Sequence, residues 1–534
     1  MVDLASNAQV MQTKQGADIT ASDMVDEREA LGESQVQQLF AGSAVFLTGG
    51  TGFLGKLLLD KLLRSCPDVK KIYVLARPKK NKDSMKRLQE QFEDVLYEKL
   101  RKEQPDFMQK LSVVEGDIGQ PALGISEEDR KKISNEVEII FHGAATVRFD
   151  EPLKTAVAIN VRGTRDMMIL ARSCAKLKAF VHISTAYSNC PIMTIEEKFY
   201  ESALPGDKLI DLIETLDEKV LNNITPGILG EFPNTYAFTK LAAENIVLQY
   251  SKGLPVAMFR PAIVIGTARE PVAGWIDNVY GPTGVVVGAA VGLLHVLHAN
   301  PNCLADLVPG DMVVNGVIAC AWKAAKDCPR NYEDAPPPDL PPPVYNYVSS
   351  EQKPLTWAKF MYYNETYGLE VPSTQAVYYY LFSLITSLPL YKLYCFFLHW
   401  VPAYIVDGIL VLIGKKPMLK KAYTKISKFS EVLSYFSTKE WKFYNNNVQN
   451  LYKELNEADK HIFDFDMSGV EWNEYFNTYV RGIRTYLLKD PIETVPQGIT
   501  KHYRLKYIHY FVCTVLGFIV LRLLWGIFSS VLGF

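Results

Sequence analysis

A glycine-rich turn, placed between an apolar run and a helical pattern, constrains this chain more than any other feature. Residues 44–55 read AVFLTGGTGFLG, and three of their glycines, Gly49, Gly52 and Gly55, stand three positions apart. The first would permit a tight turn from strand to helix, and the second would let a phosphate approach backbone N–H groups at the helix N-terminus. The third would let helix and strand pack closely. The stretch therefore predicts a strand, a turn and a helix that bind a dinucleotide.

The surrounding sequence alternates between short apolar runs and longer helical patterns. Six runs rich in β-branched residues read as strands, and they occupy 44–49, 71–77, 111–117, 137–144, 179–185 and 256–266. Helical patterns lie between them at 55–67, 154–177 and 236–251. Strands that alternate with helices form βαβ units and a mainly parallel sheet buried on both faces. The predicted fold class is α/β, with a doubly wound Rossmann-type parallel sheet.

The end of the second predicted strand indicates which dinucleotide binds. In dinucleotide folds, an acidic residue about twenty positions after the glycines accepts the ribose 2′-hydroxyl, whereas a basic residue accommodates a 2′-phosphate. Here Arg77 stands at that place, Lys79 and Lys80 follow, and the first acid is Asp83. A solvated charge run would contain lysines as well, but it would not explain the missing acid. The sequence therefore predicts NADPH rather than NADH.

Two further strand ends carry residues suited to the same cofactor. Asp117 and Ile118 close the third strand, where the carboxylate could reach the adenine amino group and Ile118 could pack on the ring. Gly143 and Ala144 close the fourth strand. Because both are small, they would leave room for the cofactor to cross the edge of the sheet.

A Tyr-x-x-x-Lys pattern supplies the most discriminating candidate for catalysis. Tyr236 and Lys240 stand four apart in NTYAFTKLAAE (234–244), so they share one face of a predicted helix. A neighbouring ammonium would lower the phenol pKa from about 10 and make the phenol a better proton donor to a carbonyl oxygen that gains hydride. Upstream, Ser184 and Thr185 end the fifth strand and offer a hydroxyl that could hold the carbonyl. The order of these motifs predicts a carbonyl reductase.

Composition argues against several other functions. The chain has 534 residues, too many for one compact core, and a formal net charge of only −2, which does not favour nucleic acid. Its eight cysteines form no CxxC pair, so we expect neither a disulfide framework nor a zinc site. His295 and His298 have HxxH spacing without a third ligand nearby, and we expect structural roles for them. No metal is predicted.

Changes in composition divide the chain into segments. Residues 1–40 lack a signal-peptide pattern and are expected to form a disordered lead-in, and residues 41–330 form the reductase domain with substrate-binding insertions. The proline-rich stretch 331–345 is expected to be a loop or linker, and 346–500 a mainly helical domain. Within it, 378–414 is notably apolar, so it is either the core of packed helices or a membrane-facing hairpin or patch.

The C-terminal residues 507–534 form a long apolar stretch with one full charge, Arg522. As a helix this stretch would be about 42 Å long, enough to cross a hydrocarbon core of about 30 Å. Lys501, Arg504 and Lys506 precede it, which places the preceding domain on the cytosolic side. An arginine is costly in mid-membrane, so Arg522 would snorkel, pair, or divide the stretch into two interfacial pieces. We expect a membrane anchor here, and a buried core helix is the alternative.

The motifs together resemble those of the extended short-chain dehydrogenase/reductases, and the chain as a whole looks like an alcohol-forming fatty acyl-CoA reductase of the insect type. The N-terminal similarity lies in TGxxGxxG at 48–55, LARPK at 75–79, INVRGT at 159–164, HISTAY at 182–187 and the Tyr-x-x-x-Lys pattern. The C-terminal similarity lies in the segment that the family calls the sterile domain, here FFLHWVPAYIVDGILVLIGKKP followed by FSEVLSYFSTKEWKFYNNNV. The similarity covers about residues 40 to 490.

The resemblance implies reduction of a long-chain acyl-CoA by two NADPH, through an aldehyde, to a primary fatty alcohol and free CoA. It implies that Tyr236 is the proton donor and that Lys240 binds the nicotinamide ribose and tunes Tyr236. Thr185, with Ser184 as the alternative, would hydrogen-bond the carbonyl. The implied cofactor-binding residues are Thr48, Gly49, Gly52, Phe53, Leu54, Gly55, Arg77, Asp117, Ile118, Gly143, Ala144, Asn160, Tyr236, Lys240 and Pro261, the last lying along the nicotinamide.

The resemblance also implies a location, because the family is typically bound to the endoplasmic reticulum or the peroxisome by its C-terminal segment. The partners would be the acyl-CoA substrate and the membrane, with no nucleic acid, and the sequence does not indicate an oligomeric state. The alternatives are an enzyme that stops at the aldehyde, and an extended short-chain reductase that acts on a sterol, a sugar nucleotide or another lipid-like carbonyl. A non-catalytic lipid-binding protein would be expected to lose Tyr236, Lys240 or the glycines, and all are present.

Overall fold

A seven-stranded parallel sheet organises the computed structural model, which describes residues 32–77, 83–327 and 340–532. The order of its strands is β3-β2-β1-β4-β5-β7-β11, and every neighbouring pair is parallel. In chain order the strands of the described residues are β1 (Ala44–Thr48), β2 (Lys71–Ala76), β3 (Leu111–Glu115), β4 (Ile139–His142), β5 (Ala179–Ile183), β6 (Thr194–Ile195), β7 (Val256–Pro261), β8 (Ile263–Ile265), β9 (Val296–His298), β10 (Leu307–Pro309), β11 (Val344–Tyr347), β12 (Ser383–Ile385) and β13 (Lys442–Phe443). The predicted doubly wound parallel sheet is confirmed.

Helices connect and cover these strands, and π-helical turns join some of them into longer rods. In chain order the α-helices of the described residues are α1 (Gln35–Phe40), α2 (Phe53–Ser65), α3 (Ser84–Gln91), α4 (Glu98–Glu103), α5 (Glu127–Glu136), α6 (Leu153–Val157), α7 (Gly163–Ser173), α8 (Gly206–Thr215), α9 (Glu218–Leu229), α10 (Thr235–Tyr250), α11 (Gly281–Ala290), α12 (Gly310–Asp327), α13 (Trp357–Glu370), α14 (Leu388–Cys395), α15 (Val401–Leu412), α16 (Leu419–Ser437), α17 (Asn446–Glu454), α18 (Glu457–Ile462), α19 (Trp472–Gly482) and α20 (Val495–Leu532).

Helices cover both faces of the large sheet, which explains why its strands are continuous apolar runs without alternation. On one face, Val45 and Leu47 of β1 pack in a core with side chains of α2 and α12. On the other face, Phe46 packs in a second core with Met167 of α7 and Val247 of α10. Because β1 lies between these layers, all five of its residues are buried.

The glycine turn after β1 has the strand-turn-helix geometry that its spacing predicts. Gly49 has a φ of +82°, a left-handed conformation that favours glycine. A Cβ added at Gly55 would lie 2.1 Å from the carbonyl oxygen of Gly49, so the first turn of α2 packs directly on the backbone that leaves β1. Gly49 therefore makes the turn, and Gly55 allows the close approach of helix and turn.

The helical C-terminal region shares its core with the sheet. Phe360, Phe476 and Tyr479 belong to the same buried cluster as Leu58 and Phe259, so apolar surface is continuous between the two parts. The short strands β6 and β13 pair in parallel, which joins a loop after β5 to the segment after α16. The two parts are one packed unit, because separating them would expose this common core.

Two of the predicted segments, the lead-in and the linker, do not match the observed elements. The expected lead-in ends in α1, whose Val36 and Phe40 are buried in the main core, while residues 1–31 lie outside the described residues. Residues 331–339, most of the expected linker 331–345, also lie outside them. The last residues of the linker belong to β11, the outermost strand beside β7. The sheet thus takes a strand from beyond residue 330, and the backbone of that strand gains hydrogen-bond partners in β7.

Two helices of the described residues have the length and composition of membrane spans. The segment Ile492–Phe528 has a mean hydropathy of 2.3 and the segment Leu388–Leu412 one of 1.8, each over its most apolar stretch. Within that most apolar stretch, none of the residues of the first segment and 17% of those of the second are buried, so neither is a core helix of the usual kind. The predicted anchor at 507–534 falls in α20, apart from residues 533–534, which are not described.

Replacing Gly55 by alanine should destabilise the chain, because the added methyl group would collide with the Gly49 carbonyl oxygen. Overpacking of this kind costs about 1–3 kcal/mol, and thermal unfolding followed by fluorescence would report it as a lower Tm. Gly227→Ala in α9 is the matched control. Nothing lies within 4 Å of its Cβ position, so the added methyl group meets no atom there. Because alanine favours a helix more than glycine does, the Tm of this variant should be unchanged or higher. Equal Tm values for the two variants would contradict the packing of α2 on the turn.

Candidate active site

The sequence-predicted site residues converge at the carboxyl edge of the sheet. β1 and β4 are neighbours at its centre, although β2 and β3 follow β1 along the chain and lie on its other side. The chain therefore reverses direction across the sheet between β1 and β4, and this is where doubly wound folds bind their ligands. The glycine turn leaves β1 at this point, and Gly143 follows β4.

The N-terminus of α2 is open to a ligand. Gly52 is its N-cap, no side chain caps it, and the Gly52 N–H donates to the Gly49 carbonyl 2.9 Å away. The next N–H groups, of Phe53, Leu54 and Gly55, belong to the first helical turn, which has no partner for them within the helix. Thr51 and Gly52 are exposed, so an anion can approach these groups. The turn fits a pyrophosphate, as its spacing predicts.

The residues predicted to select and hold the adenosine half follow β2 and β3. Arg77 is exposed and comes directly after β2, and its carbonyl accepts a hydrogen bond from Arg87 at 2.7 Å. Lys79 and Lys80 lie outside the described residues. Asp117 is half-buried and accepts from the Gly119 N–H at 3.0 Å, while Ile118 is buried against Gly163. Arg77 and Asp117 are thus available at neighbouring strand ends, whereas Ile118 serves mainly as packing.

Thr48 and Asn160 position the loop that follows β4. The fully buried Thr48 hydroxyl hydrogen-bonds His142 Nδ1 at 2.8 Å and accepts from the Ala144 N–H at 3.2 Å. Asn160 accepts from the Thr146 N–H at 2.9 Å and donates to the Thr239 hydroxyl at 3.0 Å. It lies in a π-helical turn, Ala158–Arg162, a local geometry that is frequent at functional sites. Both side chains therefore form hydrogen bonds with neighbouring loops and helices.

Tyr236 and Thr185 form the reactive pair of hydroxyls. Asn234 caps α10 by accepting from the Ala237 N–H at 2.9 Å, and Tyr236 therefore lies in the first turn of that helix. The side chain of Thr185, the second residue after β5, is close enough to the Tyr236 phenol to lower its pKa. The chain thus brings together the predicted proton donor and one of the two predicted carbonyl partners.

Ser184 makes a different contact. Its hydroxyl donates to Glu244 at 2.5 Å, and both residues are buried. Because this hydrogen bond holds the Ser184 side chain beneath the site, Thr185 is the hydroxyl beside Tyr236. Pro261 ends β7 and is buried, next in the sheet to the strand that ends at Ile183.

Lys240 lies one helical turn after Tyr236 and is almost fully buried. Its ammonium donates to the Ile183 carbonyl at 2.8 Å, at the end of β5. Burial lowers the pKa of Lys240 to about 8, and the charge of Glu244 opposes this shift. Lys240 is therefore charged at neutral pH and loses its proton at a pH well below that of an ordinary lysine.

The pKa of the Tyr236 phenol is raised in this structure, and not lowered as the sequence predicts. Burial raises the pKa of Tyr236 to about 12, and the nearby Thr185 side chain only partly offsets that effect. Glu244 adds to the increase. The ionised phenolate would lose its hydration at this site, and that loss dominates the pKa of Tyr236. Tyr236 is accordingly a protonated donor at all physiological pH values.

A buried ion pair beneath Lys240 was not predicted. Glu244 is one further turn along α10, and it accepts from Arg260 Nε at 2.9 Å and from Nη2 at 2.6 Å. Both side chains are fully buried. The signal was present, since an arginine within the apolar run of β7 requires a buried carboxylate partner. Glu244 is a positioning residue, because it holds α10 against the sheet and does not face the site.

An aromatic cluster lies beside Tyr236. The ring of Phe149 is 5.7 Å from that of Tyr236 and 6.0 Å from that of Phe436, at the end of α16. Tyr187 continues the cluster at 5.5 Å from Phe436, and Trp441 lies 5.3 Å from Tyr187. Since Phe436 and Trp441 come from the C-terminal helical region, that region supplies one apolar wall of the site.

Two family models, both described as male sterility protein, match the chain. The NAD-binding model covers residues 47–317, and the Sterile model covers residues 398–490. The first contains the glycine turn and Tyr236, and the second contains Phe436. The match therefore extends over both parts that form the site.

Similarity to curated relatives shows to which family the chain belongs. Fatty acyl-CoA reductase wat of Drosophila melanogaster is 43% identical over 478 residues, which are 90% of this chain and 90% of the relative. Fatty acyl-CoA reductase 1 of Homo sapiens is 38% identical over 488 residues, 91% of this chain and 93% of the relative. The chain belongs to the fatty acyl-CoA reductase family. The resemblance drawn from the motifs is confirmed.

Solved structures similar to this fatty acyl-CoA reductase family member agree on the fold. The reductase domain of a nonribosomal peptide synthetase from Mycobacterium tuberculosis has a TM-score of 0.54 and 18% identity, over 86% of this chain and 97% of that structure. The terminal R domain of the myxalamid pathway has a TM-score of 0.52 and 21% identity, over 84% and 93%. With the family, the Rossmann-type sheet identifies the chain as an NAD(P)-dependent reductase.

The ionisation of Lys240 predicts a pH dependence of the reductase activity. The protonated ammonium is the form that can donate to a bound cofactor, and burial places its pKa at about 8. The kcat/KM for the reduced cofactor should therefore fall as pH rises through about 8, by roughly tenfold per unit, because this ratio reports ionisations of the free enzyme. Initial rates of cofactor oxidation between pH 6 and 10 would measure it.

Lys240→Arg is the control, because a guanidinium stays charged at all accessible pH values. The decline near pH 8 should vanish from whatever activity this variant retains. A decline of the same shape in Lys240→Arg, or a flat profile in the natural chain up to about pH 10, would contradict the assignment to Lys240.

Proposed function

We propose that this chain reduces long-chain fatty acyl-CoA to a primary fatty alcohol and free CoA, through an aldehyde, at the expense of two NADPH. The observation that carries the proposal is the Tyr236–Thr185 hydroxyl pair beside a charged Lys240, at the sheet edge where a dinucleotide binds. The aromatic cluster next to that pair suits an acyl chain. The names of the relatives support the substrate class.

The residues that would hold the cofactor run along the carboxyl edge of the sheet. When bound, NADPH would supply the hydride for each reduction. The N-terminus of α2 at Gly52 offers its N–H groups to the pyrophosphate, and Arg77 offers its guanidinium to the 2′-phosphate. Asp117, just after β3, would accept from the adenine amino group, and Lys240 would donate to the nicotinamide ribose. The basic Arg77 at the end of β2 supports NADPH over NADH.

In the first reduction, Thr185 and Tyr236 act on the thioester oxygen. As the carbonyl carbon gains hydride, negative charge develops on that oxygen, and both hydroxyls can donate to it. Tyr236 suits this role because its raised pKa keeps its proton in place before the reaction. The oxyanion then re-forms a carbonyl, the carbon–sulfur bond breaks, and CoA leaves as a thiolate that takes up a proton.

The second reduction needs the same groups. The aldehyde carbonyl occupies the position of the thioester carbonyl, gains a second hydride, and its oxygen takes the proton of Tyr236. The charged Lys240, one turn away, lowers the cost of the transient phenolate. An aldehyde retained by its acyl chain against Phe149 and Phe436 would stay in the site for this step.

The chain would work at a membrane surface, anchored by α20. Residues Tyr507 to Phe528 of this helix are mostly exposed apolar side chains, which water would solvate poorly. Lys501, Arg504 and Lys506 precede them and favour a reductase domain on the cytosolic side of the endoplasmic reticulum or the peroxisome. Arg522 is six positions before the last described exposed side chain, Phe528, so it can snorkel toward one interface.

Tyr236→Phe should abolish NADPH oxidation driven by acyl-CoA, because it removes the proton donor and leaves the ring that packs on Phe149. Rates should fall at least about a hundredfold, the usual contribution of a general acid. NADPH binding, measured by cofactor fluorescence with the membrane-reconstituted chain, should be nearly unchanged.

Tyr362→Phe provides the matched control, since Tyr362 is an exposed tyrosine of α13 far along the chain from the site. It should behave as the natural chain in both measurements. Turnover close to the natural rate in Tyr236→Phe would refute the catalytic assignment, and product analysis of the natural chain with each acyl-CoA would test the substrate class.

A further inference from the structure

The helical C-terminal region contains an exposed hairpin, which we define as residues 388–437. Its first arm is continuous from Leu388 to Leu412, through α14, a π-helical turn and α15. Its second arm is α16, and the arms run antiparallel. The Asp407 carboxylate accepts from three successive N–H groups at the start of α16, at 2.9 to 3.0 Å, and His399 stacks on Tyr423 at 4.9 Å. The turn between the arms is therefore fixed by the hairpin itself.

The first arm of the hairpin exposes large apolar side chains along most of its surface. Its buried residues are His399, Ala403 and Asp407, which lie on the face toward α16. On the remaining faces of the arm and at its tip, the exposed side chains include Phe396, Phe397, Ile405, Ile409, Val411 and Leu412. Leu412, beside the turn, is 86% exposed. A patch of this size in water indicates a surface made for an apolar partner.

The charge of the hairpin indicates which apolar partner it binds. Between 388 and 437 the chain carries seven lysines and only two acids, Asp407 and Glu431, for a net charge of +5. The whole chain has a net charge of −2, so positive charge is concentrated in the hairpin. All seven lysines are exposed: Lys392, Lys415, Lys416, Lys420, Lys421, Lys425 and Lys428. Apolar residues beside clustered lysines match a bilayer that contains anionic phospholipids.

The position of the hairpin supports the same partner, because its base is joined to the start of the membrane segment of α20. His399 accepts from the His295 N–H at 3.1 Å, and the ring of His295 lies 5.7 Å from that of Tyr378. The Tyr378 hydroxyl hydrogen-bonds His509 at 3.0 Å, within the first residues of the apolar part of α20. This chain of contacts holds both exposed apolar elements at one end of the molecule.

We propose that the hairpin is a second membrane-binding element that lies in the bilayer interface without crossing it. The apolar side of the first arm would sit at the depth of the upper acyl chains, about 5–10 Å below the headgroups, and the lysines would contact anionic headgroups. A span is disfavoured because α16 brings four lysines alongside the first arm. The proposal stands on these surfaces alone and does not depend on which substrate the site reduces.

This arrangement would hold the active site at a set distance from the lipid. α16 begins at the turn of the hairpin and ends at Ser437, directly after Phe436, whose ring belongs to the cluster beside Tyr236. With 19 residues the helix is about 28 Å long. One helix thus connects the surface that meets the membrane with the wall of the reductase site.

The depth of Leu412 in a bilayer tests the proposal. The full chain would be reconstituted into nanodiscs after Leu412→Cys and labelling with the environment-sensitive fluorophore NBD, in a background with Cys328, Cys395 and Cys513 replaced by serine. Ile169→Cys is the matched control, since Ile169 is an exposed aliphatic residue of α7 in the sheet domain. Discs of phosphatidylcholine alone would be compared with discs of phosphatidylcholine and phosphatidylserine in equal parts.

At position 412 the label should be quenched by doxyl-labelled phospholipid and protected from iodide, and phosphatidylserine should strengthen both effects. Substituting Lys421, Lys425 and Lys428 by glutamine should remove the effect of phosphatidylserine. At position 169 the label should be quenched by iodide alone. Iodide quenching at 412 without doxyl quenching would refute the proposal. Protection from both quenchers would refute it too, because it would show that protein, such as a second copy of the chain, covers the hairpin.

Discussion

The buried ion pair between Glu244 and Arg260 is the interaction on which the site depends. A charge removed from water costs several kcal/mol unless it is paired, and here two Arg260 nitrogens donate to both carboxylate oxygens. Glu244 also accepts from Ser184 at the end of β5, so one carboxylate joins α10 to two strands of the sheet. Tyr236 and Lys240 lie two turns and one turn before it on the same helix. Their position at the sheet edge follows from this attachment.

Much of the sheet could be predicted because each of its elements has a local signal. The glycine turn, the apolar strands and the Tyr-x-x-x-Lys pattern depend on spacing within a few residues. The seventh strand, β11, could not be predicted in the same way, since it follows a proline-rich stretch and is stabilised by pairing with β7. The Tyr236 pKa was mispredicted for a related reason. The proximity of Lys240 is visible in sequence, whereas the burial that dominates the shift arises from tertiary packing.

The helical region follows the sheet domain in the chain and also contributes side chains to the reductase site. Phe436 and Trp441 bring aromatic rings to the Phe149 and Tyr187 cluster, and Trp441 donates to the Cys190 carbonyl at 3.0 Å. The same region carries the exposed hairpin and leads into α20. A water-filled site would hold a hydride acceptor with a long alkyl chain poorly. A site walled by the region that we propose to meet the membrane could take such a chain with little exposure to water.

We propose that one site performs two successive hydride transfers from NADPH to one acyl carbon. The direct measurement uses long-chain acyl-CoA with NADPH that carries deuterium at the transferred position of the nicotinamide, and analyses the products by mass spectrometry. We expect a primary alcohol with two deuterium atoms on its first carbon, two NADPH consumed for each CoA released, and far less product when labelled NADH replaces NADPH. An aldehyde with one deuterium as the final product, or equal labelling from NADH, would contradict the proposal.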